Sequence, residues 1–306
     1  MTTAAENIIH PMEENVEKDV KEIILELTES PNVLDVECIS PDVFAGKTLE
    51  DIKNLPVYNG KKKKVLSDFF KISGEVGDTP ENTKIIINGD LSRVKNIGKE
   101  MSSGEIVING NVGMYVGALM KGGKIVVNGD ADSFAGQQMK GGELIIKGNA
   151  GNYLGSSYRG DWRGMKGGTI IVEGNAGDEV GEYLSGGKII IKGNVGLLCG
   201  IHINKGIIIV EGNADGRVGA EAEGKGIIVI KGKIKIGHVS FLYDGEVVNP
   251  SINDDTIEGR YYKFIGDTAC RGNKKTVIYA SAEHNEHLLP NNPLPVSNTD
   301  IYELMP

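Results

Sequence analysis

Short apolar runs recur along the middle of the chain, and a single residue separates each run from a following glycine. The runs are three residues long and rich in β-branched side chains, as in EIVING, KIVVNG, ELIIKG, TIIVEG, KIIIKG and IIIVEG. Runs this short, punctuated by glycine, are typical of strands and too interrupted for helices. The pattern therefore predicts short strands joined by tight corners, where glycine supplies the backbone freedom.

The runs return at a nearly constant interval. The glycines that follow them are Gly89, Gly110, Gly129, Gly148, Gly174, Gly193, Gly212 and Gly232, at intervals of 21, 19, 19, 26, 19, 19 and 20 residues. Self-similar text with this period is typical of a solenoid, in which each unit buries its apolar face only by stacking on its neighbours. Left-handed hexapeptide and calcium-binding nonapeptide repeats fit worse, because the six-residue register and most of the aspartates are missing. We predict an all-β fold, a right-handed parallel β-helix of about eight coils with about 19 residues each.

Stacking in register predicts two columns of side chains. The residues before the repeat glycines should form an asparagine ladder and then alternating charges: Asn88, Asn109, Asn128, Lys147, Glu173, Lys192, Glu211 and Lys231. A second column near the end of each coil should form an inward apolar stack: Met101, Met120, Met139, Met165, Leu184 and Ile203.

Three adjacent apolar residues cannot all point inward on a strand whose side chains alternate. Either the middle column faces outward or its two flanking columns do, and the middle column is Val107, Val126, Ile145, Ile171, Ile190 and Ile209. An outward stripe of roughly several hundred Å² is near or above what monomers expose. We expect a partner subunit to bind at Val126, Ile145 and Ile171; the alternative cover is the chain's own N-terminal segment or C-terminal tail.

The flanks differ from the repeats. We predict an N-terminal arm and lead-in over residues 1–82, the glycine-rich β-helix over 83–240, and a C-terminal cap with an extended tail over 241–306. In the lead-in, VKEIILEL predicts a helix or a strand, PDVFAGK a loop, and Thr48 the cap of a short helix ending near Asn54. The text after Gly232 predicts strands that close the open end of the solenoid.

The 26-residue interval is a regular coil with seven extra residues between Gly155 and Met165. This insertion carries the chain's one tryptophan among residue types that are enriched at interface anchors: Tyr158, Arg159, Asp161, Trp162 and Arg163. Repeat proteins place binding function on such loops. We predict that these residues bind a partner; the alternative is a loop whose charges only fold it on itself.

The composition of the chain excludes several classes of function. The formal charge of −9 and pI of about 5.2 argue against a nucleic-acid surface. No apolar run approaches the length of a membrane span, and the N-terminus lacks the pattern of a signal peptide. Cys38, Cys199 and Cys270 are too few and scattered for a disulfide framework, which favours the cytoplasm. The HNEH pair of histidines is interpreted as surface, and we predict no catalytic, cofactor-binding or metal-binding residue in this chain.

Three segments carry a family resemblance. PDVFAGKTLEDIKNL, DLSRVKNIGKEMSSGEIVINGNVGMYVGALMKGG and YRGDWRGMKGGTIIVEGNAGDEVGEY resemble the C subunit of formylmethanofuran dehydrogenase. The resemblance covers roughly residues 31–280, and the coils are also similar to the C-terminal domain of the glutamate synthase large subunit. The first of these families is favoured by the lead-in and the insertion together.

The resemblance implies a complex that reduces CO2 to formate at a tungsten or molybdenum pterin and condenses formate with methanofuran in an amidohydrolase-like subunit. A dinuclear metal and iron–sulfur clusters are implied in the partner subunits, and the β-helical chain would be structural. Two other assignments stay open: the C subunit of a formyltransferase/hydrolase complex, and a stand-alone glutamate synthase domain.

Overall fold

A computed structural model describes residues 19–237, 239–253, 255–270 and 275–290. Within these ranges strands dominate, beside two short α-helices, α1 (Pro41–Phe44) and α2 (Leu49–Lys53), and 3-10 turns at Leu66–Asp68, Pro80–Asn82 and Glu286–Leu288. The strands are β1 (Lys21–Leu27), β2 (Leu34–Asp35), β3 (Pro56–Asn59), β4 (Lys62–Val65), β5 (Phe70–Gly74), β6 (Thr83–Asn88), β7 (Val94–Lys95), β8 (Glu105–Asn109), β9 (Lys124–Val127), β10 (Glu143–Ile146), β11 (Thr169–Val172), β12 (Ser185–Ile191), β13 (Val195–Leu197), β14 (Lys205–Val210), β15 (Ala214–Gly216), β16 (Ile227–Ile230), β17 (Ile234–Ile236), β18 (Leu242–Val248), β19 (Ser251–Ile252), β20 (Asp255–Thr256), β21 (Arg260–Gly266) and β22 (Thr276–Ser281). The predicted all-β class is confirmed.

The largest sheet of the described chain has thirteen strands in the order β18-β21-β22-β16-β14-β12-β11-β10-β9-β8-β6-β1-β5. Its ten central strands, from β22 to β1, are all parallel. Equivalent residues of the repeats face one another, so that Ile145 lies between Val126 and Ile171. The chain therefore returns to the same sheet, in the same register, once in every repeat.

A second set of parallel pairings follows the repeat glycines. Isolated bridges join residues of successive repeats in the order Leu91, Val112, Ala131, Ala150, Ala176 and Val195. The three-stranded sheet β13-β15-β17 continues this pairing in register. Each repeat is thus tied to its neighbours at two places.

The apolar core lies between these pairings. The predicted inward stack is confirmed, because each of its members has an exposure of 0%: Met101, Met120, Met139, Met165, Leu184 and Ile203. Complete burial of a side chain of this size stabilises the folded state by roughly 1.5 to 3 kcal/mol relative to exposure. The column therefore contributes to cohesion between successive repeats.

The predicted polar ladder forms on the surface. The side-chain amide of Asn109 donates to Asn88 Oδ1 over 2.7 Å, and that of Asn128 donates to Asn109 Oδ1 over 2.8 Å. Further along, Lys147 pairs with Glu173 at 2.7 Å between Nζ and Oε1, confirming the change from amides to opposite charges.

A second ladder follows the repeat glycines and was not predicted. Asn175 donates its main-chain N–H to Asn149 Oδ1 (2.9 Å), Asn194 to Asn175 Oδ1 (2.8 Å), and Asn213 to Asn194 Oδ1 (2.8 Å). Asp130 takes the same role by accepting from the N–H of Asn149 over 2.6 Å. The recurrent Gly-Asn dipeptide was the signal in the sequence.

The corners use glycine as predicted, for two reasons. Gly136 has a φ of +64°, and a Cβ at Gly141 would lie 2.3 Å from the carbonyl oxygen of Lys121. Residues other than glycine also adopt the left-handed backbone conformation. Tyr115, Phe134 and Tyr153 have φ values of 67°, 63° and 63° at equivalent corners. Stacking of successive coils offsets the strain of these bulky residues.

In the lead-in, VKEIILEL was predicted to form a helix or a strand. It forms strand β1, which pairs in parallel with β6. Thr48 caps α2 as predicted, because its hydroxyl accepts from the N–H of Asp51 (3.2 Å) and the Asp51 carboxylate accepts from the N–H of Thr48 (3.1 Å). The loop predicted at PDVFAGK is wrong in part. Pro41–Phe44 forms α1, with the Ser40 hydroxyl accepting from the N–H of Asp42.

Beyond β16, strand β22 extends the parallel ladder, and β21 and β18 follow it in antiparallel pairing. Strands therefore follow the last repeat glycine, as predicted. Residues 1–18 of the predicted N-terminal arm and residues 291–306 of the predicted tail lie outside the described residues.

Candidate partner-binding surfaces

The middle residue of each apolar triplet faces outward, which settles the choice that the sequence left open. In β9, Ile125 and Val127 have an exposure of 0%, whereas Val126 between them is half-buried. The same alternation places Ile145 and Ile171 on the outer face of the sheet. These side chains stack in register, so they form one continuous column, which we call the outer column.

The chain's own C-terminal region covers one end of this column. Ile209 and Val229 are 6% and 0% exposed, and they cluster with Ile252 and Ile257 from the β19–β20 hairpin. The hairpin is held to the sheet by Lys188, whose Nζ lies 2.6 Å from Asp255 Oδ2. The cover ends there, since Val126, Ile145 and Ile171 do not belong to that cluster.

Polar columns flank the outer column on both sides. On one side Lys84 pairs with Glu22 (2.8 Å between Nζ and Oε1), and Lys124 pairs with Glu143 (2.9 Å between Nζ and Oε2). On the other side lies the asparagine and charge ladder described above. The apolar stripe is therefore one residue wide, and long side chains stand beside Val126, Ile145 and Ile171, which are half-buried.

The insertion leaves the coil at Gly155 and returns to it at Met165. The Met165 N–H donates to the Gly155 carbonyl over 3.0 Å and closes the base of the loop. Inside it, the Asp161 N–H donates to the Tyr158 carbonyl over 2.8 Å, and the Gly164 N–H donates to the next coil at Tyr183 over 2.9 Å. The extra residues thus form a loop whose base is closed by a hydrogen bond between Gly155 and Met165.

One side chain of the preceding coil holds the top of this loop. The amide nitrogen of Gln138 donates to Asp161 Oδ2 and to the carbonyl oxygen of Arg163, both at 3.0 Å. The other carboxylate oxygen of Asp161 accepts from Arg163 Nε over 3.1 Å. The hydrogen bond from Arg163 is the main cause that lowers the pKa of Asp161, with Gln138 adding to it. Asp161 therefore stays ionised and anchored.

A stack of aromatic rings supports the other half of the loop. The rings of Tyr115 and Phe134 lie 5.1 Å apart, and those of Phe134 and Tyr153 lie 4.7 Å apart with an interplanar angle of 7°. The Arg159 guanidinium lies 5.9 Å from the centroids of both Phe134 and Tyr153. This cation–π geometry is attractive at distances up to about 6 Å.

The base of the loop is buried against polar partners. Ser157 is 2% exposed; its carbonyl accepts from the Gln137 side-chain amide over 3.2 Å, and its hydroxyl donates to Glu182 Oε2 over 3.4 Å. Burial raises the pKa of Glu182, and the negative charge of Glu179 raises it further. A titratable carboxyl group therefore lies directly beneath the insertion.

The predicted loop residues lie close together but have different surroundings. Asp161, Arg159 and Arg163 make the contacts given above, whereas Tyr158 and Trp162 are 60% and 73% exposed. The Asp161–Arg163 pair is internal to the loop, as the self-folded alternative expects, while Tyr158 and Trp162 project from it; binding of a partner stays a prediction. Sequence reasoning missed Gln138, which lies outside the insertion and carries no local signal.

The remaining candidates for chemistry are cysteine, histidine and acidic side chains. Across the described ranges, no set of three or more His, Cys, Asp or Glu side chains is placed to hold a metal ion. Burial raises the pKa values of the Cys38 and Cys199 thiols to about 12 each. His287 contacts the Ile234 carbonyl through Nε2 at 2.8 Å. Neither α-helix in the described part of the chain has the length and apolar content to cross a membrane.

Several known proteins are similar to this chain in sequence, although no protein-family model matches it. The C subunit of the tungsten-containing formylmethanofuran dehydrogenase 2 of Methanothermobacter thermautotrophicus is 56% identical over 272 residues, which is 89% of this chain and 100% of that protein. Its counterpart in Methanococcus maripaludis is 50% identical over 277 residues, 88% of this chain and again 100% of the relative. The C subunit of the molybdenum-containing formylmethanofuran dehydrogenase 1 of Methanothermobacter thermautotrophicus is 62% identical over 132 residues, 43% of this chain and 32% of that protein.

One solved structure is similar in fold. It is the formyltransferase/hydrolase complex of Methylorubrum extorquens with methylofuran, in which one chain matches with a TM-score of 0.73. The match covers 85% of this chain and 99% of that chain at 23% sequence identity. At this identity the likeness concerns the fold alone.

Proposed function

Because the chain belongs to the family of the C subunits of formylmethanofuran dehydrogenase, we propose that it is the noncatalytic structural subunit of that complex. The observation that carries the proposal is 56% identity over the full length of a relative with this name. In the proposed complex, CO2 is reduced and methanofuran is formylated in neighbouring subunits. This chain holds those subunits in place.

The groups that carry the chemistry are assigned to the partners. A tungsten or molybdenum pterin, a dinuclear metal and iron–sulfur clusters belong to the metal-pterin, amidohydrolase-like and iron–sulfur subunits. The relatives named above occur as tungsten-containing and molybdenum-containing enzymes. This chain contributes shape and binding surfaces, and no reaction step is assigned to its residues.

The architecture that we propose for the scaffold is a right-handed parallel β-helix of eight coils. Support comes from eight parallel strands, β6 to β16 of the main sheet, each of which ends one or two residues before a repeat glycine. The second line of parallel bridges supports a closed coil in each repeat. The right hand is favoured because crossover connections between parallel strands of one sheet are right-handed in nearly all proteins.

Two surfaces are proposed to bind partner subunits. The first is the outer column at Val126, Ile145 and Ile171, which the C-terminal hairpin leaves uncovered. The second is the insertion, with Tyr158 and Trp162 exposed. Both surfaces are proposed because apolar side chains face outward there, and exposed apolar groups of this kind often mark binding sites.

A cytoplasmic location is part of the proposal. Its support is cysteine usage, because the chain's few cysteines are scattered and Cys38 and Cys199 are both free thiols. Cysteines kept as thiols are typical of proteins in a reducing compartment.

The test is to purify a tagged chain from its native cell under conditions that preserve complexes. We expect a metal-pterin subunit, an amidohydrolase-like subunit and iron–sulfur subunits to co-elute, with tungsten or molybdenum and iron measured in the same fraction. A chain that elutes alone, with no partner and no such metal, would contradict the proposal.

The same experiment separates two alternatives. The formyltransferase/hydrolase complex is favoured by the fold likeness, and it predicts co-elution of formyltransferase subunits without tungsten, molybdenum or iron–sulfur clusters. A stand-alone glutamate synthase domain predicts a glutaminase partner instead.

A further inference from the structure

We infer that residues 156–164 form a preformed docking knob, whose Trp162 enters an apolar recess with an acidic rim on a neighbouring subunit. We also infer that Gln138, outside the insertion, is the residue that positions the knob. The inference rests on the proposed function, because it requires that the chain is one subunit of a complex.

The exposure of its side chain identifies Trp162 as the residue that anchors the knob in a partner. Trp162 is 73% exposed and Tyr158 is 60% exposed, and they lie four positions apart in one loop. Tryptophan and tyrosine combine a large apolar surface with one polar atom, and they dominate interface hot spots when a partner buries them. We therefore expect the Trp162 indole to bind in an apolar recess of the partner that also contains a hydrogen-bond acceptor for the indole N–H.

The loop is ordered before any partner binds. Gln138 grips Asp161 and Arg163, the residues on either side of Trp162, with two hydrogen bonds of 3.0 Å. Arg159 lies over the stacked rings of Phe134 and Tyr153. An anchor held in this way loses little conformational freedom on binding, and preorganisation of this kind raises affinity.

The charge of the knob indicates which side chains surround the recess on the partner. The segment SSYRGDWRG at 156–164 contains two arginines and one aspartate, a formal charge of +1, in a chain whose formal charge is −9. Asp161 is already paired with Arg163. The knob is therefore opposite in sign to the chain as a whole, which favours acidic side chains around the recess.

Gln138 can be tested without disturbing the coil. The equivalent corner of the preceding coil is Leu119, and the two residues have similar φ values of 50° and 59°. Leucine therefore fits this backbone but cannot donate to Asp161 or Arg163. Gln138→Leu should release the knob and leave the coil folded.

The experiment is a competition inside the cell. A tagged variant and the untagged wild-type chain are produced together, and the ratio of the two in the purified complex reports their relative affinity. We expect Trp162→Ala to be under-incorporated by roughly 30-fold, the size of a strong hot spot. We expect Gln138→Leu to be under-incorporated by roughly 5-fold, and to add almost nothing in the Trp162→Ala background, because both act through one contact.

Tyr58→Ala, at a 50% exposed tyrosine in β3, is the matched control and should incorporate like wild type.

Each outcome decides a separate point. Equal incorporation of Trp162→Ala and wild type, with unchanged thermal unfolding of the isolated variant, overturns the knob. Fully additive losses in the double variant overturn the positioning role of Gln138. Absence of partner subunits with the wild-type chain itself counts against the proposed function, and not against the knob alone.

A photo-crosslinking residue placed at position 162 of the full chain identifies the recess. We expect a crosslink to a segment of another subunit that has apolar residues flanked by aspartate or glutamate. A crosslink confined to this chain or to a second copy of it, or to a basic segment, would overturn the assignment of the partner surface.

Discussion

Asn175 donates its main-chain N–H to Asn149 Oδ1 over 2.9 Å, although 26 residues separate the two. The next step of the same ladder joins Asn194 to Asn175 over 19 residues at 2.8 Å. The insertion therefore leaves the stacking of coils unchanged on this side of the molecule. Its extra residues are added to the framework and are not needed to build it.

Deleting residues 157–163 should accordingly leave a stable protein. The deletion joins Gly155-Ser156 to Gly164-Met165, which matches the spacing of Gly136-Gln137-Gln138-Met139 in the preceding coil. We expect the melting temperature to change by less than about 4 °C, the effect of roughly 1 kcal/mol in a chain of this size, and incorporation into the complex to fall. Calorimetry of the isolated chain and the competition assay measure the two effects. A deletion of equal length through 188–194 should abolish folding; if the loop deletion does the same, the loop is part of the framework.

The amide ladder should be tested at Asn194, which accepts from the N–H of Asn213 over 2.8 Å. Asn194→Ala removes this acceptor, and we expect the free energy of unfolding to fall by about 1 kcal/mol in urea titrations. Asn194→Asp keeps an acceptor, as Asp130 does in the same column, so its loss should be smaller. Equal losses for the two variants would contradict the role assigned to the side-chain oxygen.

Neighbouring positions on β11 should lose stability to different extents when each is changed to threonine. Ile170 has an exposure of 0%, and Ile170→Thr should lower the free energy of unfolding by about 2 to 3 kcal/mol because it leaves a cavity and buries a hydroxyl. Ile171 is half-buried on the outer face, and Ile171→Thr should cost less than about 1 kcal/mol. Denaturant unfolding of the two variants measures the difference, and similar losses would place Ile171 in the core.

The combined change of Val126, Ile145 and Ile171 to threonine tests the outer column as a binding surface. We expect the isolated chain to become more soluble, because an apolar stripe is removed, and its incorporation into the complex to weaken. Precipitation assays and the competition assay report the two effects. Improved solubility with normal incorporation would leave the stripe without a partner.

The carboxyl group beneath the loop predicts a dependence on pH. Burial and the charge of Glu179 raise the pKa of Glu182 above its ordinary value of 4.5. The folded state therefore binds the proton more tightly than the unfolded state. The stability gained from protonation is fully present below pH 4.5 and is lost as the pH rises through the raised value.

Glu182→Gln mimics the protonated group, and its amide oxygen can still accept from Ser157. We expect its melting temperature to equal that of the wild type near pH 4 and to exceed it at pH 7. Calorimetry across this range measures both. A wild type that is the more stable of the two at pH 7 would show that the charged form is the favoured one.

The repeats were predictable from the sequence because the same local geometry is imposed eight times. The methionine column follows from stacking alone, and each of its members is fully buried. Strands β1 and β22 were harder, since neither is followed by a repeat glycine, and pairing with β6 and β16 decides their conformation. Tertiary contact overrides a weak local preference in both cases.

The contacts that hold the insertion could not be predicted in the same way. Gln138 and Arg163 are 25 positions apart and meet only because one coil stacks on the next around an irregular loop. No periodicity encodes such a contact. The side of the sheet to which Val126 points was likewise open, since apolar residues fill both faces of the triplets and only the burial of Ile125 and Val127 distinguishes them.

The antiparallel strands at the two edges of the main sheet have a consequence for polymerisation. A bare parallel coil at either end would offer an identical chain a matching row of hydrogen-bonding groups, and such edges template growth into fibres. Strand β5 stands at one edge, and at the other edge β18 carries Asp244 and Glu246 around an irregularity in its pairing. The charged side chains and the irregular pairing of β18 therefore make this edge a poor template for end-to-end growth.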